Sequence, residues 1–123
     1  MKCLVCVKYV PAEQTTQLDT DHSLVRTAGA QKLNTADEAA VEAALRLAGQ
    51  EEVTVLCMGA AFCAKPMEEL FARGVQHAVL VSDHIFAGAD SLATAHTLAL
   101  AVNCIGPFEL ILCGRRTLDG ETG

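Results

Sequence analysis

Aromatic residues and positive charge are both scarce in this sequence. The chain has no tryptophan, one tyrosine and four phenylalanines, and its nine lysines and arginines against fifteen aspartates and glutamates give a formal net charge of −6. Nucleic-acid binding requires clustered basic side chains against phosphates, and single strands also require aromatic surfaces on which bases stack. We therefore expect no nucleic-acid partner.

Long apolar runs are missing too. Stretches such as residues 4–7, 78–81 and 98–102 are far shorter than the ~20 residues that cross a bilayer. The apolar run at the start ends at Lys8, which makes it too short for a secretory signal. The sequence therefore predicts no membrane segment and a cytoplasmic location.

Motifs for phosphate binding and catalysis are absent as well. The chain contains no G-x-G-x-x-G, no G-x-x-x-x-G-K-[ST] and no G-x-S-x-G pattern. Its four histidines have no cysteine, serine or carboxylate at a spacing that defines a site. The residues alone therefore indicate no catalytic site.

Cysteine is more frequent, with six residues, but the positions do not favour a metal site or a disulfide. Most of them lie in or beside apolar segments, where a cytosolic cysteine is usually a small buried apolar side chain. Cys3 and Cys6 have the spacing of a redox or zinc pair, yet this odd spacing puts them on opposite faces of a strand. No second pair with ligand spacing follows, so we expect no metal.

Apolar residues make up 51% of the 123 positions, enough for the core of one domain. Apolar segments that alternate with runs of helix-forming residues predict an α/β fold. The strands are expected at residues 2–9, 52–58, 75–82 and 108–113, and the helices at 36–48, near 66–74 and at 90–105. This pattern predicts a parallel sheet with helices on both faces and strand order 3-2-1-4.

Local signals predict the ends and the inward faces of the helices. We expect Asn34 to cap the first helix, Gly49 to end it and Asp90 to cap the third. The inward faces are expected to carry Val41, Ala44, Leu45 and Ala48 in the first helix and Met67, Leu70 and Phe71 in the second. The polar segment 12–32 has room for a small hairpin around Leu18 and residues 24–26.

Ligands of such sheets bind where the strand order reverses, outside the carboxyl ends of the strands. With order 3-2-1-4, this crevice brings together the end of the first strand, residues 34–37 and the tail after the fourth strand. A helix start at 34–37 offers free N–H groups, although Asn34 is equally interpretable as a simple cap. Asp37 opposes an anion there and favours contacts with a ribose or a base.

Five segments in this order resemble the amino-terminal part of the electron-transfer flavoprotein beta subunit. They are residues 2–11, 33–47, 53–59, 86–94 and 108–123. The resemblance implies an adenine nucleotide alpha hydrolase-like (Rossmann-like) fold, truncated here. It also implies a heterodimer with an FAD-carrying alpha subunit, which passes on electrons from flavin-dependent dehydrogenases such as acyl-CoA dehydrogenases. The beta subunit of that family has no catalytic residues of its own and binds AMP, or a second FAD in bifurcating members.

The resemblance also implies which residues contact the nucleotide. The apolar walls of the adenosine pocket fall on Cys6 and Met58. The backbone groups at the helix start fall on Asn34, Thr35, Ala36 and Asp37. The beginning of the phosphate cradle falls on Asp119, Gly120, Glu121, Thr122 and Gly123.

Two departures from the family pattern affect these expectations. Thr35 replaces the usual proline after the asparagine, and the phosphate loop is cut in mid-motif at Gly123. Residues 1–123 are therefore expected to form one nucleotide-binding α/β domain, a fragment of a longer beta subunit. Alone, this fragment is expected to bind AMP weakly or not at all and to self-associate through exposed apolar surface.

Two other functions share this α/β layout. A stand-alone nucleotide-binding regulator of the universal-stress type would need a complete phosphate loop and a fifth strand. An adenosine-phosphate-cleaving or adenylating enzyme would need a Ser-Gly-Gly-type loop after the first strand, where this chain has Val10, Pro11 and Ala12.

Overall fold

The computed structural model describes residues 1–11, 31–82 and 91–115. The strands are β1 (Cys3–Val7), β2 (Tyr9–Pro11), β3 (Gln31–Leu33), β4 (Val53–Met58), β5 (His77–Val81) and β6 (Leu110–Cys113). The helices are α1 (Thr35–Ala48), α2 (Ala64–Met67), α3 (Glu69–Ala72) and α4 (Ser91–Ile105), with a 3-10 turn at Ala61–Cys63 before α2. The hairpin expected around Leu18 and residues 24–26 and the cap expected at Asp90 lie outside the described residues.

Four of these strands form one parallel sheet in the order β5-β4-β1-β6. They are the expected third, second, first and fourth strands, so the predicted order is confirmed. The chain passes from β1 outward through β4 and β5 and then crosses to the other side of β1 for β6. The reversal therefore lies between β1 and β6, with its crevice at their carboxyl ends.

Apolar side chains are buried on both faces of the sheet. Cys3, Val5 and Val7 of β1 face the main apolar cluster, which α1, α2 and α3 complete. The other buried members of this cluster in the sheet and helices include Val41, Ala44, Ala48, Val53, Val55, Cys57, Met67 and Leu70. Leu4 and Leu56 point to the opposite face and are fully buried. The usual right-handed crossover from β5 to β6 predicts that α4 lies on that face.

The first strand is shorter than predicted. β1 ends at Val7, and Tyr9–Pro11 leaves the sheet to pair antiparallel with Gln31–Leu33. The physical reason lies at Lys8, whose backbone N–H donates to the Asp37 carboxylate and whose carbonyl accepts from the Asn34 N–H. Both backbone groups of Lys8 are thus bound to the start of α1, so the strand cannot continue in the sheet.

The first helix agrees with its prediction. α1 runs to Ala48, and Gly49 follows it with φ +64°, the left-handed conformation that glycine adopts most easily. Three of the four residues expected to face inward are buried, and Leu45 packs partly buried against the core. On the outer face Arg46 Nη2 and Glu42 Oε1 lie 3.4 Å apart and form an i,i+4 ion pair.

The second helix differs from its prediction. Residues 61–72 form a 3-10 turn and two single-turn helices in place of one continuous helix. Met67 and Leu70 are buried as expected, but Phe71 is 50% exposed, so its inward assignment is wrong. One helical turn can bury Met67 and Leu70, which are three positions apart. Phe71 follows Leu70 directly and therefore points about 100° away from the buried face.

Several large apolar side chains are exposed on α4 and on the edge strand β6. Leu92 is 80% exposed, Leu100 is 54% exposed and Ile111 is 48% exposed.

The described part of the chain has no helix long and apolar enough to cross a membrane.

We predict that Leu56→Ala lowers the free energy of unfolding by about 2–5 kcal/mol, because it leaves a cavity at a fully buried position. Leu47→Ala is the matched control, since Leu47 on α1 is 54% exposed and its truncation should cost less than about 0.5 kcal/mol. Urea unfolding followed by circular dichroism measures both. Equal losses for the two variants would contradict the burial of Leu56.

Candidate functional site

Three separate segments meet at the carboxyl end of β1. The Lys8 N–H donates to Asp37 Oδ2 at 2.8 Å, and the Asn34 N–H donates to the Lys8 carbonyl at 2.8 Å. The backbone of Gly114, the residue after β6, also donates to the Asp37 carboxylate. The predicted meeting of β1, the start of α1 and the chain leaving β6 is therefore confirmed at the reversal of the strand order.

Asp37 is the residue that joins these segments. It lies in the first turn of α1 and is 5% exposed. Burial raises the pKa of its carboxyl above 3.8, while hydrogen bonds from Lys8, Asn34 and Gly114 and the Lys8 charge act in the opposite direction. Its oxygens thus accept donors of the protein itself, a role that the sequence analysis, which expected contacts with a ribose or a base, did not identify.

Asn34 occupies the N-cap position of α1, but its side chain makes no capping hydrogen bond. The cap is formed by its backbone carbonyl, which accepts the N–H groups of Asp37 at 2.9 Å and Glu38 at 3.0 Å. The fully buried side chain is hydrogen-bonded to the Asp37 carboxylate. Asn34 is therefore the N-cap residue, as expected, but its side chain bonds the Asp37 carboxylate and not the helix N–H groups.

Gly114 is a functional position that the sequence analysis missed. A Cβ atom at this residue would overlap Asp37 Oδ1 and lie 3.0 Å from the backbone of Ala36 and Asp37. Only a residue without a side chain lets the end of β6 approach the start of α1 so closely. The sequence did contain one signal for this role, since Gly114 directly follows the fourth apolar strand, where the strand order was predicted to reverse.

The start of α1 presents free donors next to this contact. Thr35 is exposed and Ala36 is half-buried. In the part of the chain that the structure describes, their backbone N–H groups have no hydrogen-bond acceptor, as is usual for the first turn of a helix. They can bind an acceptor atom of a ligand in the crevice.

Cys6 and Met58 line the neighbouring strand ends. Cys6 pairs with Leu56 in the parallel ladder, so Cys6, Leu56 and Met58 share the face opposite the main cluster, whereas Cys3 lies in that cluster. The opposite orientation predicted for Cys3 and Cys6 is confirmed. Both Cys6 and Met58 are half-buried, as suits apolar walls of a pocket.

The remaining predicted contacts are those of the phosphate cradle. Asp119, Gly120, Glu121, Thr122 and Gly123 lie outside the described residues. The chain is described as far as Arg115, an exposed residue that follows Gly114.

A second depression lies away from the crevice. It is located between the β2–β3 ribbon, α1 and α3, and its lining includes Tyr9, Lys32 and Glu69. Arg73 and Glu38 form an ion pair of 3.5 Å there, and both side chains are about half exposed. None of the predicted nucleotide contacts among the described residues lines this depression.

Comparison with known proteins identifies one family. The model of the electron transfer flavoprotein domain matches residues 22–123. The chain is 36% identical to the caffeyl-CoA reductase-Etf complex subunit CarD of Acetobacterium woodii and 35% identical to the electron transfer flavoprotein subunit beta of Megasphaera elsdenii. It is also 36% identical to protein FixA of Bradyrhizobium diazoefficiens.

These matches extend over 99% of this chain but only 48%, 49% and 45% of the three relatives. The chain therefore spans about half the length of the curated relatives it matches.

We predict that Asp37→Ala lowers the free energy of unfolding at pH 7 by about 1–3 kcal/mol, because it leaves the half-buried N–H groups of Lys8 and Gly114 without their acceptor. Glu42→Ala removes an exposed carboxylate from the same helix and should cost about 0.5 kcal/mol or less. Urea unfolding measures both. Similar losses in the two variants would contradict the role of Asp37.

The pH dependence of stability tests the state of the same carboxyl group. Because the folded-state pKa of Asp37 is raised, the folded protein binds the proton more tightly than the unfolded chain. The stability of the wild type relative to Asp37→Asn should therefore be highest below pH 3.8 and fall as the pH rises through the folded-state value. A relative stability that increases with pH in this window would mean that the pKa is lowered instead.

Proposed function

This chain belongs to the electron transfer flavoprotein family, and we propose that it acts as the beta-type subunit, passing electrons from flavin-dependent dehydrogenases together with an FAD-carrying alpha subunit. The beta subunit of Megasphaera elsdenii and CarD, a subunit of a reductase–Etf complex, are among its relatives. In this role the chain positions a nucleotide and a partner, and the flavin supplies the redox chemistry.

The observation that carries the proposal is the junction at Asp37. Its carboxylate holds the end of β1, the start of α1 and the residue after β6 together at the reversal of the strand order. Adenine nucleotides are bound at such reversals in α/β sheets. The crevice is therefore the part of the described chain best suited to a nucleotide.

The residues around the junction fit an AMP molecule, or the adenosine part of a second FAD if the parent complex is bifurcating. We propose that the Thr35 and Ala36 N–H groups bind acceptors of the base or ribose, with Cys6 and Met58 as apolar walls. Gly114 packs directly against the start of α1, so the chain that leaves β6 would form another side of this pocket. The negative charge of Asp37 disfavours a phosphate at this helix start.

The phosphate is therefore assigned to the other side of the crevice. We propose that residues 119–123 begin its cradle, with backbone N–H groups and the Thr122 hydroxyl as donors. Arg115, at the start of this tail, contributes a positive charge close to Gly114. A regulator of the universal-stress type is the alternative with the same crevice, but none of the reported relatives carries such a name.

Two further properties follow from the proposed role. The exposed apolar side chains Leu92, Leu100 and Ile111 provide surface for the alpha subunit or for self-association of this chain. A cytoplasmic location is proposed from the sequence features given above.

We predict that AMP shifts the backbone amide signals of Lys8, Thr35, Asp37 and Gly114 in ¹H–¹⁵N correlation spectra of the chain. Because the affinity of the chain for AMP should be weak, the test is which residues show shifted signals and not how tightly AMP binds. Thr35→Trp fills the crevice side of α1 and should abolish them, whereas Ala39→Trp, at an exposed site one turn further along α1, should not.

Inorganic phosphate serves as the ligand control for this experiment. The proposal requires that adenosine also shifts the junction signals and that phosphate alone does not reproduce them. Shifts confined to Lys32 and Arg73, in the second depression, would contradict nucleotide binding at the junction.

We predict that the chain co-purifies with an electron transfer flavoprotein alpha subunit when the two are co-expressed and only the alpha subunit carries an affinity tag. The complex should show flavin absorbance near 450 nm that is bleached by a flavin-dependent dehydrogenase and its substrate. The chain expressed alone should show no such band. Recovery of the tagged alpha subunit without this chain would contradict the proposed role.

A further inference from the structure

Two cysteines face each other at the carboxyl end of the sheet. Cys6 of β1 and Cys113 of β6 are paired residues in the parallel ladder. Paired residues of neighbouring parallel strands point to the same face, and their backbones are about 4.8 Å apart. Both thiols are reduced, and the Cys6 side chain is hydrogen-bonded to that of Cys113.

This spacing is compatible with a disulfide bond. Disulfides join residues whose Cα atoms are about 4.4–6.8 Å apart, and the hydrogen bond already brings the two sulfur atoms together. Cys113 is the last residue of β6. No pair of the β1–β6 ladder follows it, so Cys113 can move toward Cys6 while the preceding pairs stay intact.

The two thiols differ in access to solvent. Cys113 is exposed and Cys6 is half-buried. Burial, together with the neighbouring Cys113, raises the pKa of Cys6 to about 12. Cys6 therefore remains a protonated donor to the sulfur of Cys113, and Cys113 is the thiol that meets a reagent first.

A second thiol pair in the same region lacks this access. Cys57 and Cys63 are hydrogen-bonded to each other on the opposite face of the sheet. They are 1% and 5% exposed. The hydrogen bond from Cys57 lowers the pKa of Cys63 to about 7, but burial shields both sulfur atoms from a reagent in solution. This pair is an internal comparison for the exposed one.

We propose that Cys6 and Cys113 form a reversible oxidation site that closes into a disulfide across β1 and β6 when the protein meets a peroxide. The Cys113 thiolate attacks one oxygen of hydrogen peroxide, which breaks the O–O bond and gives a sulfenic acid and hydroxide. The sulfur of Cys6 then attacks the sulfenic sulfur, and water leaves. Overall two thiols lose two electrons and two protons, and one peroxide is reduced to two waters.

The bond would join the strand ends that hold the junction. Cys113 precedes Gly114 directly, and Lys8 follows two residues after Cys6. The N–H groups of both Lys8 and Gly114 donate to Asp37. Oxidation thus acts directly beside the three-way contact, whether or not the crevice binds a nucleotide.

We predict that one equivalent of hydrogen peroxide at low micromolar protein concentration removes two of the six free thiols. Mass spectrometry of a proteolytic digest should identify a peptide pair linked through Cys6 and Cys113, and dithiothreitol should restore both thiols. The exposed Cys104 on α4 provides the matched control, since Cys104→Ser should leave the cross-link unchanged.

Single replacements in the pair give the decisive results. Cys113→Ser should leave Cys6 reduced, and Cys6→Ser should leave a sulfenic acid on Cys113 that dimedone traps. A link between Cys57 and Cys63, a disulfide between two chains, or trapping of Cys113 in the wild type without any link to Cys6 would each overturn the proposal.

Discussion

The arrangement of this protein depends on one buried carboxylate that accepts hydrogen bonds from three directions. Asp37 receives the N–H groups of Lys8 and Gly114 and the side chain of Asn34. These residues belong to the end of β1, the chain after β6 and the turn before α1. A buried carboxylate is stable only when it is hydrogen-bonded, so the same contacts that satisfy Asp37 also fix where these segments lie.

This junction explains features that otherwise look unrelated. It ends β1 at Val7, because Lys8 directs its backbone groups to α1, and it requires glycine at position 114, because any side chain there would overlap Asp37. Among the described residues, it leaves the N–H groups of Thr35 and Ala36 in the first turn of α1 without an acceptor. One carboxylate thus accounts for the end of β1, the position of α1 and the glycine after β6.

Sequence patterns predicted the parts of the fold that depend on local periodicity and on topology. The strand order and α1 with its terminal Gly49 follow from apolar patterns and the handedness of crossovers. The role of Gly114 depends on a carboxylate far from it in the chain, and the side-chain contact of Asn34 depends on the burial of Asp37, which the sequence analysis did not predict. The divided helix at 61–72 has too short a face to bury Phe71, and no signal in the sequence indicated this division.

The central claim is that the junction at Asp37 forms one wall of an adenosine pocket. The most direct measurement is a set of intermolecular nuclear Overhauser effects between AMP and the chain with labelled methyl groups. The proposed pocket predicts contacts from the adenine H2 or H8 proton to the Met58 methyl group and to Thr35. Contacts to Leu33 or Leu70, which line the second depression, without any to Met58 would contradict it.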